Sequence, residues 1–82
     1  MALDEIKNAS IVIGTRQVVK HLHKSQIKKV FIAADAEPHV REPVMELCRQ
    51  GQIAVEMVES MEILGRAVGI EVGSATVALL ID

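Results

Sequence analysis

Aromatic residues are almost missing from this chain: Phe31 stands alone, with no Trp or Tyr. Half of the 82 residues are nevertheless hydrophobic, so the core must be aliphatic, built from Val, Ile, Leu, Ala and Met. A lone cysteine, Cys48, excludes an internal disulfide. No apolar run approaches the ~18 residues that a membrane-spanning helix needs. The opening Met1-Ala2-Leu3-Asp4-Glu5 carries no basic, long apolar leader, so a soluble, cytoplasmic protein is expected. Positive charge is also in short supply, with 9 Lys and Arg against 11 Asp and Glu and a formal net charge of -2. That balance weighs against a general basic surface for nucleic acid and confines any such activity to a local patch. There is no repeat, linker or low-complexity tract. A single small domain over residues 1–82 is expected, burying roughly two-thirds of its unfolded surface.

What is present is an alternation of apolar runs and amphipathic segments. Ala2 to Ala9, with Leu3 and Ile6 spaced i, i+3 and acidic residues near its start, predicts a short helix. Residues 10–13 predict a strand that turns on Gly14 into a helix over about 15–24. Val30-Phe31-Ile32-Ala33-Ala34 is a continuous apolar run bounded by charge, the pattern of a strand buried on both faces. Pro38 and Pro43 follow, and because proline is costly beyond a first turn, the next helix is predicted to start near Glu42 and to end at Gln50-Gly51, with Val44, Leu47 and Cys48 inward. Residues 53–58 predict a third strand. Ser60 caps a helix that runs to Val68, where Gly69 takes the position beyond its end. Residues 75–81 predict a fourth strand. Four strands alternating with four helices imply an α/β domain with helices on both faces of one sheet, leaving function to the loops at the strand ends.

The stretch after Gly14 carries the clearest chemistry. A helix start leaves backbone N–H groups without partners and bears partial positive charge, which suits phosphates and acceptor-rich base edges. On this helix Arg16, Gln17, Lys20 and Lys24 share one side, while Val18, Val19 and Leu22 share the other. A solvated outer face accounts for the same four polar residues. His21, His23 and His39 lack the spacing and companions of a zinc site. Cys48 on an apolar stripe reads as inert packing. Asp35 and Glu37 suit a turn and a cap better than an acid/base pair. Gly69-Ile70-Glu71-Val72-Gly73 reads either as a helix end followed by strand residues or as a loop. As a loop, it would expose two branched apolar side chains, surface that suits a splayed-out base.

Three blocks, Gly14-Thr15-Arg16-Gln17-Val18-Val19-Lys20, Ala33-Ala34-Asp35-Ala36-Glu37-Pro38 and Leu64-Gly65-Arg66-Ala67-Val68-Gly69-Ile70, resemble in order and spacing the ribosomal L-seven-Ae and L-thirty-e family, which binds kink-turn RNA. The likeness spans Ser10 to Ile81, and the length is similar to that of the compact bacterial members. It implies a three-layer α/β/α sandwich on a four-stranded mixed sheet, and RNA binding without catalysis, cofactor, metal, membrane or small-molecule substrate. The implied partner is RNA with a bulge beside tandem sheared G·A pairs, with the ribosome as one host. By matching motif, Gly14 would let the backbone approach closely, with Thr15 beside it in the RNA-binding segment. Arg16, Gln17 and Lys20 would meet guanines and phosphates, and Glu37 would accept from a base edge at the bulge. Ile70, Glu71, Val72 and Gly73 would cover the extruded nucleotide. The chain departs from the pattern in its acidic balance and at Met61-Glu62, where several members carry lysine just after the position of Ser60.

Two other classes remain open. The Ile70/Val72 loop could dock a protein partner, with the basic helix as mere surface. A small hydrolase built on Asp35, Glu37 and His39 would need a pocket that so short a chain has little room to form.

Overall fold

The computed structural model describes Ile6 and residues 9–81. Among these residues the order is β1 (Ile11–Ile13), α1 (Thr15–His23), β2 (Ile27–Ala33), α2 (Pro38–Gln50), β3 (Ala54–Val58), α3 (Met61–Ala67) and β4 (Thr76–Leu80). The helix expected over Ala2–Ala9 lies largely outside the described residues, although Ile6 is buried and packs into the core.

The strands lie in the order β1-β4-β2-β3. β2 and β3 are parallel, while β4 is antiparallel to both β1 and β2. The sheet is therefore mixed, and its two faces collect separate aliphatic clusters. On one, Phe31, Val58, Val77 and Leu79 pack with Leu64 of α3. On the other, Val30, Ile32 and Ala78 pack with Val18 of α1 and with Val44 and Cys48 of α2. Period-two alternation along β2 and β4 feeds both clusters, so the sheet is covered on each side and the three-layer α/β/α sandwich follows.

Two elements start more than one residue away from the sequence reading. β2 starts at Ile27 rather than Val30 because its register against β4 slips between Ile27 and Lys29, where one extra residue is absorbed. The bulge shifts the alternation, so Ile27 and Val30, three apart, both reach the α1/α2 face. Lys29 is tolerated in the strand because its Nζ donates to Glu56 Oε1 of β3 at 3.0 Å and stands 5.0 Å from the centre of the Phe31 ring. α2 starts at Pro38 and runs through Pro43 instead of starting beside it. Pro38 sits in the first turn, where its missing N–H costs nothing. Pro43 and His39 are both exposed, so the carbonyl that Pro43 leaves without a donor is on the watered side of the helix.

The mixed topology fixes what shares a rim. The C-terminal ends of β1, β2 and β3 and the N-terminal end of β4 all lie at one edge of the sheet, as the pairings Ile13 with Val77, Ile32 with Thr76 and Ala33 with Val58 require. The β1–α1, β2–α2, β3–α3 and α3–β4 connections therefore converge there.

Candidate nucleic-acid interface

At this rim β1 hands over to α1 through Gly14, whose φ of 96° lies in the region that disfavours side chains. Nothing among the described residues lies within 4 Å of where a Cβ on Gly14 would stand, so the glycine answers a backbone need and leaves open space beside it. Gly14 N–H donates to Thr76 O at 2.9 Å, and the hydroxyls of Thr15 and Thr76 are 3.1 Å apart. The helix start is thereby fastened to the first residue of β4. Among the described residues no side chain caps it, and no acidic residue occupies its first turn.

Arg16, Gln17 and Lys20 are exposed while Val18 is fully buried, as the helical spacing predicts. Among the described residues none engages the side chains of Arg16, Gln17, Lys20 or Lys24. His21 turns back, its Nδ1–H donating to Gln17 O at 2.8 Å.

The second group at the rim surrounds an open cavity of about 660 Å³, lined by Asp35, Met61, Glu62, Arg66 and residues 70–73. The expectation that the chain is too short for a pocket is thus corrected. Loops from two layers meet at the sheet's edge and leave a concavity without needing a larger core. Ser60 accepts from Ile63 N–H at 3.1 Å, which is the predicted cap, and Asp35 Oδ1 accepts from Met61 N–H at 2.8 Å. Asp35 is therefore a cap supplied from another loop. Glu37 points elsewhere and pairs with His39 Nδ1 at 3.2 Å, both side chains about three-quarters exposed. Asp35, Glu37 and His39 do not converge. Among the described residues no group of His, Cys, Asp or Glu is arranged to hold a metal ion.

Residues 70–73 form a loop rather than the beginning of a strand. Gly69, at φ 81°, turns the chain off α3. Ile70 N–H then donates to Gly65 O at 3.1 Å, and Ser74 N–H to Met61 O at 3.0 Å, so the loop is stitched along the helix at both ends. Between these bonds the backbones nearly touch. A Cβ on Gly65 would lie 2.2 Å from Val72 O, and one on Gly73 would lie 3.0 Å from Met61 Cβ. Held this way, Val72 is 72% exposed, Glu71 is exposed and Ile70 is half-buried, so the apolar platform is chiefly Val72.

The structure thus brings the Gly14–Lys20 segment, Glu37 and residues 70–73 to one rim. Met61, Glu62 and Arg66 also line that cavity, and sequence reasoning did not place them there. Arg66 lay inside a quoted motif, but only the crossing of the loop over α3 shows what it faces. No helix among the described residues is long and apolar enough to cross a membrane.

Comparison with known proteins gives the class and then the kin. Residues 3–82 match the model of the ribosomal protein L7Ae/L30e/S12e/Gadd45 family, and the chain belongs to that family. An RNA-binding protein of Bacillus pumilus is 40% identical over 82 residues, 99% of this chain and 100% of the relative. One of Halalkalibacterium halodurans is 44% identical over 80 residues, 96% and 98% of the two chains. A 15.5 kD RNA-binding protein of Giardia lamblia shares the fold, with a TM-score of 0.87 at 23% identity over 98% of this chain and 71% of that one.

Proposed function

We propose that this chain binds RNA and, more narrowly, recognises and stabilises the kinked form of internal loops in ribosomal or regulatory RNA, without catalysing a reaction. The observation that carries the reading is that an uncapped, cation-bearing helix start and an exposed apolar loop stand on one rim, both tied to the beginning of β4. Its relatives' names as RNA-binding proteins support the broader part.

In the proposed complex the open side of Gly14 admits the RNA backbone, with Thr15 beside it. The N–H groups of the first turn, with Arg16, Gln17 and Lys20, donate to phosphates and guanine edges at the G·A pairs. Glu37 accepts from a base edge, leaving its contact with His39. Ile70, Glu71, Val72 and Gly73 cover the extruded nucleotide. The full set of contacts forms only when the RNA is kinked, so binding selects that conformer from a flexible ensemble in proportion to differential affinity.

Calorimetry at fixed salt tests this with a kink-turn RNA and with the same helices lacking the bulge. Wild type is expected to lose most of its affinity for the second. Arg16→Ala and Lys20→Ala each remove a charge-assisted bond worth about 1.5–3 kcal/mol, a loss of roughly ten-fold or more. Lys20→Ala should also flatten log affinity against log salt by about one unit. Lys24→Ala, a turn further on, should matter less. Unchanged affinity in both Arg16→Ala and Lys20→Ala removes the helix from the site. A salt-insensitive affinity for a protein, with none for RNA, would favour the reading of the Val72 loop as a docking surface.

A further inference from the structure

The cavity beside the 70–73 loop carries a charge pattern that an RNA ligand does not by itself explain. Among the described residues that line it, Arg66 is the one cation and Asp35, Glu62 and Glu71 are the carboxylates. Asp35 is occupied by Met61 N–H. Glu62, one turn before Arg66 on α3, accepts directly from its Nη2. The cation that could greet a phosphate is therefore already spoken for, and the group holding it repels a polyanion. Yet the two side chains are 74% and 77% exposed. Water screens such a pair, so its partners exchange at little cost. A guanidinium released from it is a planar fork that matches a phosphate bidentately and stacks on a base face.

We propose that Arg66 contacts the RNA at this cavity, and that Glu62 is its competitor: the nucleotide replaces Glu62 as the partner of Arg66, and the displaced carboxylate holds affinity below what the cavity could reach. The proposal rests on the RNA reading given above and adds to it a residue and a restraint on it. The exchange needs no backbone movement, because both groups are on the exposed face of one helix whose buried side, Leu64 and Gly65, stays packed.

The test has an internal control, since Glu46 and Arg49 form a pair of the same kind on α2, past the middle of a helix that leads away from the rim. Glu62→Gln and Glu46→Gln change net charge equally. Against the kink-turn RNA, Glu62→Gln should bind about three-fold more tightly than wild type and show a steeper salt dependence by up to about one unit. Glu46→Gln should show neither change. Arg66→Ala should weaken binding, and adding Glu62→Gln to it should restore nothing. Arg66→Lys, which keeps the charge but loses the fork, should recover only part of the loss. A gain in Glu62→Gln no larger than in Glu46→Gln, or one that persists without Arg66, overturns the exchange. Wild type binding bulged and fully paired RNA alike would instead overturn the kink-turn reading, so the two failures are told apart by the unmutated protein.

Discussion

Gly65→Ala places one methyl group where the structure has no room for it. The new Cβ would stand 2.2 Å from Val72 O and 3.0 Å from Gly73 Cα, whereas ordinary contact begins at 3.4 Å. The obstructing atoms are backbone, which cannot rotate away as a side-chain tip can, so loop or helix must yield by roughly 1 Å. Overpacking of this kind costs about 1–3 kcal/mol. Alanine returns about 1 kcal/mol through its better helix propensity at an interior position of α3. The expected balance is a loss of about 1 kcal/mol, read as a fall in Tm of roughly 4–8 °C for a chain of this size. The second expected effect is on the loop. Lifting Val72 and Gly73 from α3 breaks the geometry that holds Val72 outward, so affinity for the bulged RNA should fall while the residual affinity for fully paired RNA stays as it was. Thermal unfolding followed by circular dichroism and calorimetry with the two RNAs measure both. A Gly65→Ala protein that melts at or above the wild-type temperature and keeps its preference for the bulge would refute the reasoning, because it would mean that the loop does not depend on this contact.

Val72→Ala should cost about 1 kcal/mol of binding to bulged RNA with little change in salt slope, Val72→Asp should cost far more, and an equal loss on paired RNA would return the loop to a purely structural role. Cys48→Ala should cost on the order of 1 kcal/mol of stability and leave RNA affinity unchanged. Burial pushes the Cys48 thiol above its usual pKa, so a thiol reagent at neutral pH should modify the native protein slowly and the unfolded one readily. Ser60→Ala should cost about 1 kcal/mol through loss of the bond from Ile63 N–H, a value that urea denaturation can check.

The layers of the fold were legible because they rest on local pattern. Val18, Val19 and Leu22 reveal a helix that must pack on something, and the runs around Val30 and Val77 are too apolar to be anything but strands covered twice. The resemblance, not the alternation, supplied the mixed sheet. What could not be read locally is what depends on distant partners. Lys29 looks like a strand boundary until Glu56 is placed opposite it, and the bulge beside it erases the alternation that would have announced Ile27. Pro43 looks like a barrier until the helix around it is seen to face water. In the candidate site, the donor face of α1 followed from spacing alone. The cavity did not, because it exists only where residues 70–73 cross α3, and the fit of Gly65 against Val72 O leaves no trace in either segment.

Thr76 has a consequence for how the rim would meet a ligand. Its carbonyl holds Gly14 and its hydroxyl meets Thr15, while the chain just before it, through Ser74, is bonded to α3. One buried residue thus sets the gap between the cationic jaw and the apolar jaw, as the screw of a calliper sets its opening. A gauge of this kind measures its object instead of adapting to it. Under the RNA reading proposed above, such a gauge would leave most of the conformational cost of association to the RNA. Thr76→Val, which deletes the hydroxyl contact with Thr15 and keeps the carbonyl bond to Gly14, should leave each jaw chemically intact and narrow the difference in affinity, read by calorimetry, between the kink-turn RNA and the same helices lacking the bulge.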